Sequence, residues 1–208
     1  MDETLLCLFK DYEVAKEVVR HMDRLNETVV KAVDEYLNES IDDDWEKMEK
    51  SLYENGCFRI AKSNWLLDDK ECLACFSFES EDDEDDYDYW INQMLGYSKY
   101  PFGIVLSFNG LLRNTKAEKS VLIDSCVDLK KILIQLGFSE STSRGKSVYN
   151  FTKPIIFKKN KLVEAFENED AKDGMSILQS IINEINDLAP LVNDIVEKHK
   201  KTKVKAKK

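Results

Sequence analysis

Glycine and proline are scarce in this chain of 208 residues, at 7 and 3 respectively. That scarcity excludes a collagen-like or loop-dominated protein. Histidine is scarcer still, at 2, which removes most His-based catalysis and most zinc sites. No apolar run approaches the roughly 20 residues that a bilayer crossing takes, so no membrane association is expected. The five cysteines (Cys7, Cys57, Cys72, Cys75, Cys126) are odd in number and irregularly spaced, which argues against a secreted disulfide framework. The start, Met1-Asp2-Glu3-Thr4, is acidic where a signal peptide would be basic, and the expected location is the cytoplasm. The sequons at Asn26, Asn38 and Asn150 then carry no sugar.

What the chain does have is a core and an uneven charge. Apolar residues make up 43%, enough to fold one domain. The formal charge is −10. The last eleven residues, Lys198 to Lys208, hold seven Lys and no acid, so the body 1–197 stands at −17. Eight acids between Glu79 and Asp88 supply nearly half of that. An acidic body repels phosphates and suits a basic partner surface. The Lys-rich end has the opposite preference, and it is expected as a disordered tail over 198–208.

Leu5 to Leu37 contains no Gly or Pro. Leu5, Leu8, Tyr12, Ala15, Val19, Met22, Asn26, Val29, Val33 and Tyr36 recur in steps of 3 and 4, the spacing of a heptad seam. Val18, Leu25 and Ala32 widen it to a third column, so packing against more than one element is expected. Asp42–Asp44 ahead of Trp45, Met48 and Leu52, with Gly56 behind, predict a second helix over Asp43–Asn55. The period then changes. Cys57–Lys62, Glu71–Phe78 and Pro101–Phe108 read as strands, with a short aromatic helix over Tyr87–Leu95 between the last two. Helical spacing returns over Glu118–Leu136, with Gly137 as the stop. A short strand, Ser147–Thr152, and a small helix, Asn160–Glu167, follow. The last long helix runs from Ala171 to Lys198 with a seam of its own, and Pro190 is expected to bend or divide it. Burying both terminal stripes against each other and one sheet face gives an α+β domain: a small, mainly antiparallel central sheet flanked by long N- and C-terminal helices. Self-association through the same stripe is the rival arrangement, so a monomer and a homodimer both stay open.

Catalytic motifs are missing. Gly145-Lys146-Ser147 ends like a phosphate-binding loop, but its first Gly would fall at Glu140 and a strand follows. His21 lies on a helix flank and His199 in the Lys-rich end, neither with a nucleophile that sequence can point to. Cys72-Leu73-Ala74-Cys75 is formally a CxxC, but inside a strand residues three apart point to opposite faces, so the thiols should diverge and simply be buried. The acids of 79–88 lack the spaced ligands, Gly bend and closing Glu of a calcium loop. No metal, cofactor or catalytic residue is assigned.

The word order "CFRIAKSNW…ECLACFSFE", "YPFGIVLSF" and "LGFS", after a long helix and a Trp-containing segment, resembles the non-catalytic C-terminal half of some bacterial PD-(D/E)xK nuclease-superfamily proteins over Trp45 to Val196. The family's acid-x-Lys motif is absent, so the resemblance implies an accessory or recognition module, with a use in phage–host conflict, and carries no active-site residue. The sequence reading is therefore a non-enzymatic interaction or regulatory protein. Its expected protein-binding rim is acidic and aromatic: Glu79, Glu81, Asp82, Asp83, Glu84, Asp85, Asp86, Tyr87, Tyr89 and Trp90. The alternative is a nucleic-acid-associated accessory module of a nuclease system, contacting phosphates through Lys200, Lys201, Lys203, Lys205, Lys207 and Lys208.

Overall fold

The structure is a computed structural model and describes residues 11–67, 71–80, 89–115, 118–140, 148–168 and 171–205. Six strands form one sheet: β1 (Trp45–Ser51), β2 (Cys57–Lys62), β3 (Cys75–Ser80), β4 (Phe102–Ser107), β5 (Ser139–Glu140) and β6 (Asn150–Pro154). Their order is β1-β2-β3-β4-β6-β5, and every pairing is antiparallel. Around the sheet run α1 (Tyr12–Ser40), α2 (Leu52–Asn55), α3 (Trp90–Met94), α4 (Asn109–Asn114), α5 (Lys119–Ser125), α6 (Val127–Gln135), α7 (Lys159–Glu167), α8 (Ala171–Gly174) and α9 (Ser176–Lys205). The fold class is α+β. Among the described residues no helix is long and apolar enough to cross a membrane.

Strand alternation gives the sheet two unlike faces. Register places Phe58 and Ile60 of β2 beside Phe78 and Phe76 of β3, then Ile104 and Leu106 of β4, then Phe151 of β6. All of these are buried, and they form the core under α1 and α9. Burying each such side chain stabilises the fold by about 1.5–3 kcal/mol. The polar groups of the two tryptophans in this core are met from α9: Trp45 Nε1 donates to Asn186 Oδ1 at 2.8 Å, and Trp65 Nε1 donates to Asn193 Oδ1 at 3.4 Å. The two terminal helices also touch directly, where Tyr36 Oη donates to Gln179 Oε1 at 3.2 Å. The opposite face of the sheet carries Arg59, Ser77, Glu79, Ser107 and Asn150.

Several elements differ from the sequence expectation. Residues 45–51 are an edge strand, not a helix, and only 52–55 are helical. The register of β1 against β2 shifts between Lys47 and Glu49, inserting Met48 as a bulge. That extra residue breaks the period of 2, so Trp45 and Met48 imitate helical spacing. The carboxylate of Asp34 fixes the end of this strand: it accepts from Ser51 Oγ at 2.8 Å, Leu52 N at 2.6 Å and Tyr53 N at 3.2 Å. Pro190 does not divide the last helix, which runs unbroken from Ser176 to Lys205. That helix also takes in most of the segment expected as a disordered tail. The predicted helix over Glu118–Leu136 is parted at Cys126 into α5 and α6.

Candidate functional site

The expected protein-binding rim is only partly described. Residues 81–88 lie outside the described residues, and Glu81, Asp82, Asp83, Glu84, Asp85, Asp86 and Tyr87 with them. Glu79, at the end of the core strand β3, accepts from Ser77 Oγ at 2.6 Å. Tyr89 and Trp90 are half-buried and work within the fold. Tyr89 Oη donates to Asp23 Oδ1 at 3.0 Å, and the Trp90 ring meets Phe102 edge-on at 6.0 Å. Among the described residues of this region, Tyr97 is the exposed ring. Of the basic residues, Lys200 is held within the chain, donating to the Asn64 carbonyl and lying 3.7 Å from Glu197. Lys201, Lys203 and Lys205 sit on the last turns of α9, and Lys207 and Lys208 lie outside the described residues.

Helix α1 behaves differently along its length. After Asn26 its seam is inside: Val29, Val30, Val33 and Leu37 are at most 1% exposed. Before Asn26 the apolar stripe is mostly bare: Tyr12 is 61% exposed, Val18 55%, Val19 54% and Leu25 40%, while Ala15 and Met22 are half-buried and Met22 packs against the core. The boundary lies where α3 packs. Asp23 accepts from Tyr89, and Asn26 Oδ1 accepts from the Ile91 backbone N–H at 3.2 Å. The amphipathic rod therefore outruns the domain that buries it by about four turns. Over 12–25 its charges balance, Glu13, Glu17 and Asp23 against Lys16, Arg20 and Arg24, on a strongly acidic chain.

The polar sheet face forms a cup of about 330 Å³, lined by Arg59, Cys72, Cys75, Glu79, Arg113 and Asn150 among others. Here the sequence expectation for the CxxC fails. The strand begins at Cys75, not Glu71; Cys72 sits in an isolated bridge to Leu66, and the chain bends at Leu73–Ala74. Alternation therefore does not operate between the two cysteines, and the thiols meet in a hydrogen bond. Close packing sets the bend: Leu73 N donates to Trp65 O and Leu111 N to Leu73 O, at 2.8 and 2.9 Å. A Cβ on Gly110 would fall 1.7 Å from the Cys72 carbonyl oxygen, so only glycine fits there. The hydrogen bond from Cys75, followed by the charges of Arg59 and Arg113, holds Cys72 below the ordinary thiol range against the effect of burial. Its partner Cys75 is held well above it, by the hydrogen bond to Cys72 and by burial. Burial pushes Cys57 and Cys126 up to about 12, in Cys57 with help from its hydrogen bond to Glu49.

One further site was out of reach of sequence reasoning. His199 is buried, with Nε2 3.2 Å from Ser125 Oγ, a partner 74 residues away. Ser125 spends its own proton on the Val121 carbonyl at 2.9 Å, so it receives from His199 and the pair is a structural link, not an activated nucleophile. No group of three or more His, Cys, Asp or Glu able to hold a metal ion occurs among the described residues. No family model, curated protein or solved structure matches the chain.

Proposed function

We propose that the chain is a non-enzymatic interaction protein whose projecting half of α1 docks on the same segment of a second copy. The observation that carries this reading is the apolar stripe that is buried after Asn26 and mostly bare before it. An amphipathic helix of about fourteen residues is marginal in water unless its apolar face is covered. The charges on this segment favour a second copy as the cover. With Tyr12, Val19 and Asn26 at a and Ala15, Met22 and Val29 at d, Lys16 and Asp23 fall at e. Antiparallel pairing sets Lys16 of each copy against Asp23 of the other, and Val18 against Leu25. A neutral, self-complementary contact is what lets two acidic bodies approach each other. The composition of the acidic run 79–88 suits a basic third partner, which is the regulatory part of the reading.

Sedimentation equilibrium on the full chain and on a Val18→Glu/Val19→Glu variant tests it. Both positions are more than half exposed, so the variant keeps its fold. The wild type is expected to shift from monomer to dimer as concentration rises, and the variant to stay monomeric. A wild type that is monomeric throughout, or a variant that dimerises equally well, would overturn the reading.

A further inference from the structure

The cup on the polar sheet face plays no part in docking through α1, and its chemistry is specific. We propose that it is a dithiol–disulfide exchange site for a small anionic disulfide of peptide character, with Cys72 as the attacking thiolate and Cys75 as the resolving thiol. Five observations converge on it. Both thiols line the same cup, on either side of the bend at Leu73–Ala74, and interact with each other, which places the two sulfurs together for S–S formation. Cys72 is partly exposed at the cup while Cys75 is 8% exposed behind it, the order that attack and resolution require. Two guanidinium groups line the same cup, set against the carboxylates of Glu71 and Glu79. Arg59 is engaged by Glu49 at 3.3 Å, whereas Arg113, exposed at the mouth, makes no ion pair among the described residues and is available to a carboxylate. Asn150 Oδ1 is buried in the lining without a partner among the described residues, an acceptor suited to a ligand amide N–H. The cup volume matches small-ligand sites, which start at about 300 Å³.

The exchange balances without any further reagent. The Cys72 thiolate attacks one sulfur of the disulfide RSSR. A Cys72–SR bond forms, the S–S bond of RSSR breaks, and RS⁻ leaves to take a proton from water. Cys75 then gives its proton to water and attacks the Cys72 sulfur. The Cys72–Cys75 disulfide forms and the second RS⁻ leaves. The protein dithiol is oxidised and RSSR is reduced to two thiols. Held below the ordinary thiol range, Cys72 is more readily a thiolate than Cys57 and Cys126, so among the four described cysteines exchange is confined to the pair.

The test uses the reduced full chain, with glutathione disulfide as the anionic probe and hydroxyethyl disulfide as the neutral one. Intact mass and peptide mapping are expected to show loss of two hydrogens, located at Cys72–Cys75. A Cys75→Ser variant should stop at the mixed disulfide on Cys72, and Cys72→Ser should neither add nor close. Arg113→Ala should slow the anionic probe by about tenfold and leave the neutral one unchanged, since a surface charge acts through attraction alone. Alkylation of the unmutated chain with iodoacetamide needs no variant to fold, and it should label Cys72 before Cys57, Cys75 or Cys126. A Cys72 that alkylates no faster than Cys57, or glutathione spread equally over all the cysteines, or Arg113→Ala slowing neither probe, would overturn the assignment.

Discussion

Replacing Asp34 removes a joint that ties the buried half of α1 to the edge of the sheet. Its carboxylate, 8% exposed, accepts from the Ser51 hydroxyl and from the backbone N–H groups of Leu52 and Tyr53. Asp34→Ala leaves the buried Leu52 N–H without an acceptor, at about 1–3 kcal/mol. It also releases the Ser51 hydroxyl and the Tyr53 N–H, each bound to a charged acceptor, while the loss of a desolvated charge offsets part of the damage. The net expectation is a loss of about 2–4 kcal/mol. Asp34→Asn keeps one carbonyl oxygen for Leu52 and should cost about half as much. Urea unfolding followed by tryptophan fluorescence reads both, since Trp45 begins the strand that this joint anchors. With a slope of about 3 kcal/mol per molar urea, the alanine variant should unfold roughly 1 M earlier. An alanine variant within about 0.5 kcal/mol of wild type would refute the claim that this carboxylate organises the sheet edge.

Three other outcomes follow from the packing. Burial, followed by the charge of Lys198, holds His199 below its ordinary 6.5. A group whose folded pKa is depressed this way is neutral in the native state and protonates more readily once unfolded. Its contribution is therefore complete above pH 6.5, falls away as the pH drops below that, and levels off once the folded pKa is passed; His199→Gln should flatten this slope in thermal unfolding. Gly110→Ala forces a methyl group into the Cys72 carbonyl, so it should lower stability by more than about 2 kcal/mol and change the alkylation rate of Cys72. Truncation from Lys201 onward, which leaves the buried His199 and the bonded Lys200 in place, should abolish any salt-dependent retention on a DNA column; retention that survives it is not carried by the Lys-rich end.

The fold was legible wherever local pattern and tertiary context agree. Cys57–Lys62 alternates as far as Ile60 and is a strand over that same range. The terminal stripes are helices that flank a sheet, and Gly137, at φ +89°, stops the helical region where sequence placed it. Trp45–Ser51 misled because a bulge at an edge strand produces spacings of three. Pro190 does not divide its helix, because packing outweighs its local penalty: its neighbours Leu188, Ala189 and Val192 are all buried. The cup was hidden for a different reason. Its CxxC was visible, but whether two thiols meet depends on a bend set by Gly110 and Trp65, contacts 38 residues ahead in sequence and 7 behind. Likewise nothing in the spacing of α1 marks Asn26 as the point where burial ends, because that is decided by α3 docking beside it.

Amide hydrogen exchange over residues 12–25, measured at increasing protein concentration, bears on the central claim most directly. The account predicts fast exchange in dilute solution and growing protection of this segment as copies pair, while Val29 to Leu37 stay protected throughout. Exchange in 12–25 that is the same at every concentration would contradict it.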